Sequence, residues 1–297
     1  MNVAKLKAAF EKNRNQLFEI RDKRIHPGLD DKILLSWNAL QCSAYAKAYE
    51  ALQNEAYKET AIGNLEFILK SFVQKDGEGM YHTYKNGQAQ YDAFLEDYSF
   101  LIEAMLDVYE ISFDTKWILQ AADQTEFVLE NFLDRESKMF YFTSLNQKDL
   151  ILRRKDIYDS ATPSGNSTMV RNLQRLGILL GKESYKRLAT EMLMTVKDAV
   201  EKYPSSFGRW ANALVNEIEG LHEIAVVGAD AFEMGQKIQQ QYLSNKILMV
   251  SQLTNEDFPL LQGKKVQDDT LIYVCKNYAC QHPVKTIEDF EQLISKN

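Results

Sequence analysis

The sequence predicts a mainly α-helical protein, an α/α toroid followed by a small C-terminal α/β segment. Three observations predict this fold: helical spacing of apolar residues, a helix couplet that recurs along the chain, and a shortage of turn residues. Only 13 glycines and 5 prolines occur among the 297 residues, too few for the many turns of a β-sandwich. The 45% hydrophobic content is typical of an ordinary globular protein.

A couplet of two helices recurs three times before residue 220. In the first helix the apolar residues Leu40, Ala44 and Ala48 follow helical spacing. The predicted helices are 36–52 with 57–73, 96–112 with 115–132, and 165–180 with 183–203. Each couplet buries one face against its neighbours, so several are needed to close a core. About three and a half couplets fit, so we expect an incomplete six-hairpin toroid.

The connectors that follow the first two couplets are also alike. Each leads from an aromatic or aliphatic pair through a polar turn into a short aromatic run, 80–83 in the first and 140–143 in the second. Both runs predict short strands of β-hairpins.

The sequence pattern changes after Glu219. Short β-branched runs at 223–228, 246–251 and 270–275 predict strands, and 231–242 and 286–295 predict helices. We therefore expect two domains, a helical region at 1–220 and an α/β appendage at 221–297.

Composition excludes several classes of protein. The excess of 42 acidic over 35 basic residues gives a net charge of −7, which argues against nucleic-acid binding. No apolar run is long enough to span a membrane, and the charged N-terminal segment lacks the apolar core of a signal peptide. Three cysteines cannot make a disulfide framework, so we expect a reduced, cytoplasmic chain.

Two short motifs are weak indications of a metal or a cofactor, and we predict neither. Cys275, Cys280 and His282 lack a fourth ligand and the tighter spacing of a zinc knuckle. The run 226–230 follows a strand, but it lacks the glycine pattern of a nucleotide-binding turn.

Polar segments precede the inner helices, the first helix of each couplet. In a toroid the inner helices all begin on the same face, so these segments should converge there. They are 21–32 with 36–38, 96–98, 153–160 and 163–167. Each also has a purely structural interpretation: Asp97, Ser164 and Asn166 are common helix caps, and the charged runs are typical of solvated surfaces.

This mixture of groups suits a sugar, because aromatic rings stack on its C–H face while carboxylates, amides and Arg bind its hydroxyls. Glycosidic cleavage needs two carboxyls, and epimerisation needs a proton-transfer pair. Asp156, Asp159, His26 and His82 are further candidates for acid or base. The predicted catalytic residues are Asp30, Asp31 and Asp97. The predicted substrate-binding residues are Arg24, His26, Lys32, Trp37, Asn38, Tyr98, Arg154, Asp159, Ser164 and Asn166.

Four motifs, in order along the chain, resemble a known family. They are RIHPGLDDKILLSWNAL at 24–40, LEDYSFL at 95–101, DSATPSGNS at 159–167, and YVC at 273–275 with Cys280. They resemble the thioredoxin-domain-containing family that includes spermatogenesis-associated protein 20. Members of that family carry an N-terminal thioredoxin-like domain and then a helical region similar to six-hairpin glycosidases and N-acylglucosamine 2-epimerases.

The resemblance implies that this chain corresponds to the C-terminal part of such a protein. It also implies a carbohydrate-handling ancestry. The implied partner is a thioredoxin-like domain or a missing N-terminal helical segment. Two hypotheses about function remain open. The chain is a sugar epimerase or glycoside hydrolase acting on a small sugar-like ligand, or it is a non-catalytic interaction scaffold that uses the same groove.

Overall fold

The computed structural model describes residues 2–75, 77, 79–147, 151–266 and 269–295. It divides into two units, one ending at Lys32 and the other beginning at Ile33. The N-terminal unit contains helix α1 (Val3–Asp22) and a segment without regular structure. The Asn2 side chain accepts a hydrogen bond from the backbone of Ala4 at the start of α1, and no residue of this helix is buried.

The second unit contains the predicted couplets. The first is α2 (Leu35–Leu52) with α3 (Glu55–Ser71), the second is α4 (Leu95–Ser112) with α5 (Lys116–Asn131), and the third is α6 (Gly165–Leu179) with α7 (Glu183–Lys202). All six predicted helices are confirmed. A further inner helix, α8 (Gly208–Glu219), was not predicted; it has only 12 residues and follows a turn at Pro204.

The inner helices α2, α4 and α6 pack side by side, and each outer helix packs on the inner helix of its own couplet. Helix α4 lies in the middle of this arc and is buried almost all round, which is the expected state of a helix with neighbours on every side. The prediction of an α/α toroid is therefore confirmed for the described residues, which form an open arc of three hairpins and α8.

The first connector forms a small antiparallel sheet. Strands β1 (Ile33–Leu34), β2 (Tyr81–Lys85) and β3 (Gln88–Asp92) pair in that order. The turn between β2 and β3 is Asn86-Gly87, and both residues have positive φ, as a tight hairpin turn requires.

The second connector differs from this prediction. The run 140–143 is not a strand: Phe140 makes one isolated bridge to Leu133, and the Phe142 N–H donates to the Arg154 carbonyl. Since no second strand among the described residues completes a ladder with it, this run packs as a loop.

The C-terminal segment forms a four-stranded sheet with two helices. Its elements are β4 (His222–Val227), α9 (Ala231–Gln240), β5 (Lys246–Ser251), β6 (Leu271–Lys276), β7 (Ala279–Cys280) and α10 (Ile287–Ile294). The spatial order is β5-β4-β6-β7, with β4 and β5 parallel and the other pairs antiparallel. The predicted α/β segment is thus present.

Strand β4 begins at His222, close to the boundary predicted near residue 220, and the division into two domains there stays a prediction. Alternate residues of β4 belong to different cores: Ala225 and Val227 complete the helical core, and Ile224 and Val226 pack with α9 and α10. The sheet is therefore shared between the two cores.

The cysteines differ from the expectation of a fully reduced chain. Cys275 and Cys280 lie opposite each other on β6 and β7 and form a disulfide. Their sulfurs are therefore not thiolates available to a metal. Cys42 is free and buried in α2, as expected for a small apolar residue. Within the described ranges, no helix is both long and apolar enough to cross a membrane.

Candidate functional site

The carboxylate of Asp97 organises the face at which the inner helices begin. Its Oδ2 accepts a hydrogen bond from the backbone of Phe94, the residue before α4, at 2.8 Å. Its Oδ1 accepts a hydrogen bond from the Ser36 backbone in the first turn of α2, at 3.0 Å. Asp97 is completely buried. It therefore caps its own helix and holds the start of α2 against the start of α4.

The imidazole of His82 is the third partner of this carboxylate. Its Nδ1 lies 2.7 Å from Asp97 Oδ2, and the side chain on strand β2 keeps 19% of its surface exposed. Because the carboxylate is an acceptor, Nδ1 carries the proton in this pair. An imidazole oriented in this way by a buried carboxylate is suited to transfer protons through Nε2.

Aromatic rings lie beside this His–Asp pair. The Phe94 ring is 4.9 Å from the His82 ring and stacks on Phe142 at 4.7 Å between centroids. The Arg154 guanidinium lies 4.9 Å from the Phe142 centroid and forms an ion pair with Asp156 at 3.1 Å. An apolar surface and charged groups therefore occur side by side, the combination that binds a sugar ring.

Glu96 adds a second titratable group at the start of α4. Its burial raises the pKa of this carboxyl, and the negative charges of Asp97 and Asp156 raise it further, while His82 and Arg154 oppose the shift. A carboxyl that retains its proton more readily is better able to act as a general acid.

We call the following residues the rim cluster: His82, Phe94, Glu96, Phe142, Arg154 and Asp156. The described residues contain no group of three or more His, Cys, Asp or Glu side chains that could hold a metal ion.

The start of α6 lies against the start of α4 because Gly165 has no side chain. A Cβ placed there would lie 2.9 Å from Leu95 Cγ and 3.2 Å from the Glu96 backbone nitrogen. Asn166, one residue later, is buried and bonds through its amide to both backbone groups of Phe140 and to the Asp156 carbonyl. These contacts fix the loops that carry the rim cluster.

Other predicted binding residues make contacts within the protein. Tyr98 is buried, stacks on Phe127, and its hydroxyl accepts a hydrogen bond from the Met80 backbone. Ser164 caps α6 by accepting from the Ser167 backbone. Asp159 accepts hydrogen bonds from the Ser164 and Arg209 backbones. Their part in ligand binding stays a prediction.

Trp37 and Asn38 lie in the first turn of α2, beside Ser36. The Trp37 side chain is exposed over 66% of its surface, so it is not the core residue that an aromatic position in a helix usually is. The Asn38 amide is half-buried and donates to the Leu34 carbonyl at 2.9 Å. The ring of Trp37 is thus accessible to a ligand.

Five predicted residues belong to the N-terminal unit. His26 lies 3.4 Å from Asp22, and the Lys32 ammonium lies 3.3 Å from the Asp30 carboxylate. All five are exposed. Their contribution to a site stays a prediction. The five residues are Arg24, His26, Asp30, Asp31 and Lys32.

Sequence reasoning named Glu96 only as part of the polar segment 96–98, and it did not include Glu96, Phe94 or Phe142 among the site residues. Glu96 had a signal, since it is adjacent to Asp97 at a predicted helix start. The two phenylalanines lie in connectors, and nothing in their spacing shows that their rings meet across nearly fifty residues of chain.

Comparison with known proteins identifies relatives over the whole chain. No family model matches it. The chain is 26% identical over 303 residues to human spermatogenesis-associated protein 20, an alignment that covers 96% of this chain. The chain is a homologue of spermatogenesis-associated protein 20.

The region of spermatogenesis-associated protein 20 that it matches is the C-terminal part, as the motifs predicted. An uncharacterised protein of Caenorhabditis elegans is 27% identical over 311 residues, covering 100% of this chain. The alignments cover 38% of human spermatogenesis-associated protein 20 and 42% of the nematode protein. The chain therefore spans about two fifths of the length of these relatives.

Several solved structures have a similar arrangement of helices. A GH76 α-mannanase of Bacteroides thetaiotaomicron gives a TM-score of 0.49 at 15% identity, covering 84% of this chain and 67% of the mannanase. A D-mannose isomerase gives a TM-score of 0.49 at 11% identity, covering 70% of this chain and 58% of the isomerase. A cellobiose 2-epimerase of Bacillus thermoamylovorans gives a TM-score of 0.47 at 14% identity, covering 57% of this chain and 45% of the epimerase.

Proposed function

We propose that the rim cluster binds a sugar and moves a proton on it, so that the chain acts as a sugar epimerase or isomerase. The observation that carries this proposal is the His82–Asp97 pair, whose Nδ1–Oδ2 distance is 2.7 Å, beside the stacked rings of Phe94 and Phe142. The rings offer an apolar surface to the C–H face of a sugar, and Arg154 offers donors to its hydroxyls.

In this mechanism His82 acts as base and Glu96 as acid. The base removes the proton from the carbon next to the carbonyl of the open-chain sugar, leaving an enediolate. The acid then returns a proton to that carbon from the opposite face, which inverts the centre without any net oxidation. Asp97 does not touch the substrate in this scheme; it orients the imidazole and stabilises the imidazolium form.

Glycoside hydrolysis is a second candidate, favoured by the carboxyl pair Glu96 and Asp156. The charge of Asp156 contributes to the raised pKa of Glu96. Glu96 is therefore suited to donate a proton, and Asp156 is suited to act as the carboxylate that hydrolysis requires.

Deuterium incorporation tests the proton transfer without knowledge of the product. The chain is incubated in D2O with a panel of aldoses and disaccharides, and NMR follows the C2 proton. We expect its exchange with wild-type protein and with His282→Gln, an exposed histidine outside the rim cluster. We expect none with His82→Gln, which preserves a hydrogen-bond donor but cannot act as base.

Two other outcomes contradict the epimerase proposal. Release of a reducing sugar from glycosides without C2 exchange would favour the hydrolase. If neither reaction occurs and no sugar raises the melting temperature, the scaffold hypothesis is favoured. A sugar present at 100 times its dissociation constant should stabilise the folded chain by about 2.7 kcal/mol, a shift of a few degrees.

A further inference from the structure

A cavity with several charged residues in its lining lies away from the rim cluster, where the helical arc meets the C-terminal segment. Its volume is about 540 Å³, within the range of small-molecule sites. Its lining includes the last two turns of α2, the middle of α6, the last turn of α8 and the connection from α9 to β5. We call it the junction cavity; its main polar residues are Lys47, Glu50, Arg171, Asn216, Gln239 and Lys246.

Lys47, Arg171, Asn216 and Lys246 also line a small chamber of about 40 Å³. Arg175 lines this chamber and is fully paired: its two terminal nitrogens lie 2.9 Å from Asp107 and 2.9 Å from Glu110. Lys47 bonds to Glu50 at 2.9 Å and to Glu110 at 3.0 Å. These inner cations already have their acceptors.

The other two cations, Arg171 and Lys246, are paired less completely. Among the described residues, the Lys246 ammonium makes no hydrogen bond and no ion pair within 4.0 Å. Arg171 has one carboxylate partner in the described part of the chain, Glu103 at 3.5 Å, and Glu103 also pairs with Arg209. Burial lowers the pKa of both Arg171 and Lys246, while Glu103 near Arg171 and Glu110 and Glu50 near Lys246 oppose the shift. Partly buried cations with few direct acceptors are unfavourable, and an anion that contacts both would relieve this cost.

Buried amide groups with unused acceptors provide a second, independent indication. Gln239 is 6% exposed and donates to the Glu110 carbonyl, but its Oε1 has no partner. Gln174, which lines the small chamber, is 5% exposed, and its Oε1 also has no partner. Buried acceptors are normally satisfied; both oxygens are closed off from the cavity in this structure, so a ligand hydroxyl would reach them only after the side chain turns towards it.

We propose that the junction cavity binds a small anion that also bears hydroxyl groups, a sugar phosphate or a sugar acid, with its oxyanion between Arg171 and Lys246. The amides of Gln239 and Asn216, which line the cavity, accept from or donate to its hydroxyls. The proposal does not depend on catalysis at the rim cluster, because the two sites share no residue.

Calorimetric titration at fixed ionic strength tests the proposal, using glucose 6-phosphate, glucuronate, inorganic phosphate and glucose as probes. We expect one of the two anionic sugars to bind; which of them does distinguishes a phosphate site from a carboxylate site. Inorganic phosphate should bind at least about tenfold more weakly than that sugar, and glucose should not bind. Equal binding of phosphate and the anionic sugar would overturn the role of the hydroxyls, and binding of neither would overturn the site.

Matched variants locate the binding. Arg171→Gln and Lys246→Gln should each weaken the binding of the anionic sugar by about tenfold or more. Lys237→Gln removes the same charge from the exposed side of α9, where Lys237 pairs with Glu233 at 2.8 Å, and should leave the affinity unchanged. An equal loss in all three variants would mean that only the net charge matters, and would overturn the assignment.

Thermal melts without ligand separate a binding role from a structural one. Because Lys246 makes no hydrogen bond or ion pair within 4.0 Å in the described structure and acts on Glu50 and Glu110 only at longer range, Lys246→Gln should change the melting temperature little while binding is lost. A large fall in melting temperature together with lost binding would instead indicate that Lys246 supports the fold.

Discussion

The Asp97 carboxylate joins three segments that are distant in sequence: the start of α2, strand β2 and the residue before α4. Asp97→Asn replaces one acceptor oxygen by an NH2 group that faces N–H donors in a fully buried position. We expect the free energy of unfolding to fall by about 1–3 kcal/mol. Urea unfolding measures this loss.

The control is Asp123→Asn on the exposed side of α5. It should change the stability by less than about 0.5 kcal/mol. Equal losses in the two variants would contradict the assigned role of Asp97. Its sequence context alone allowed a cap or a catalytic acid, because both are acidic residues at a helix start.

Glu50, which lines the junction cavity, makes the stability depend on pH. Burial raises the pKa of this carboxyl from 4.5 to about 7; Lys47 and Lys246 oppose the shift, and Glu110 adds to it. Between those values the folded chain holds a proton that the unfolded chain has released. The stability contributed by this group therefore falls as pH rises towards 7 and changes little above it.

Glu50→Gln removes this titration. The free energy of unfolding of the variant, relative to wild type, should rise between pH 5 and pH 8 by up to about 3 kcal/mol, at about 1.4 kcal/mol per pH unit. Urea unfolding at the two pH values measures the change. Exposed Glu59→Gln is the control and should show no such trend; a flat difference for both variants would contradict the raised pKa.

Glycines at the N-terminal ends of α6 and α8 allow a test of how closely each helix approaches its neighbours. A methyl group in Gly165→Ala would press on Leu95 and on the Glu96 backbone, so we expect a loss of about 1–3 kcal/mol. Gly208 begins α8 in the equivalent position, and a Cβ there would meet nothing within 4 Å. Gly208→Ala should therefore be neutral or stabilise the chain by up to about 1 kcal/mol. Thermal melts of both variants measure the contrast.

The elements that the sequence predicts best are the long amphipathic helices, since their apolar spacing reflects burial directly. The sequence also indicated β4, β5 and β6 through short β-branched runs. It was wrong about 140–143, because an aromatic run becomes a strand only when a partner strand is available, as β3 is for β2. Periodicity cannot reveal which rings of separate loops stack, so the Phe94–Phe142 contact required the structure.

At the scale of the whole molecule, the C-terminal sheet completes the helical core. Met249, Phe258 and Leu261 belong to the same apolar cluster as α2, α4 and α6. Deletion of 221–297 would expose this surface, so we expect the shortened chain to lose its cooperative melt in calorimetry.

Deletion of 1–32 is the contrasting change. No residue of α1 is buried, so the remaining chain should melt cooperatively at nearly the same temperature. The same deletion tests the predicted catalytic roles of Asp30 and Asp31. If these residues are catalytic, the shortened chain should lose its activity and keep its fold. A cooperative melt of residues 1–220 alone would contradict the shared core.

A sheet that serves two cores also affects how the chain folds during its synthesis. The three hairpins leave the ribosome before β4, yet the apolar side chains that cover their ends follow from residue 225 onward. At roughly 5–20 residues per second, several seconds pass before those strands emerge. During that interval the nascent arc exposes apolar surface that a chaperone could bind, so its final packing depends on strands that are made several seconds later.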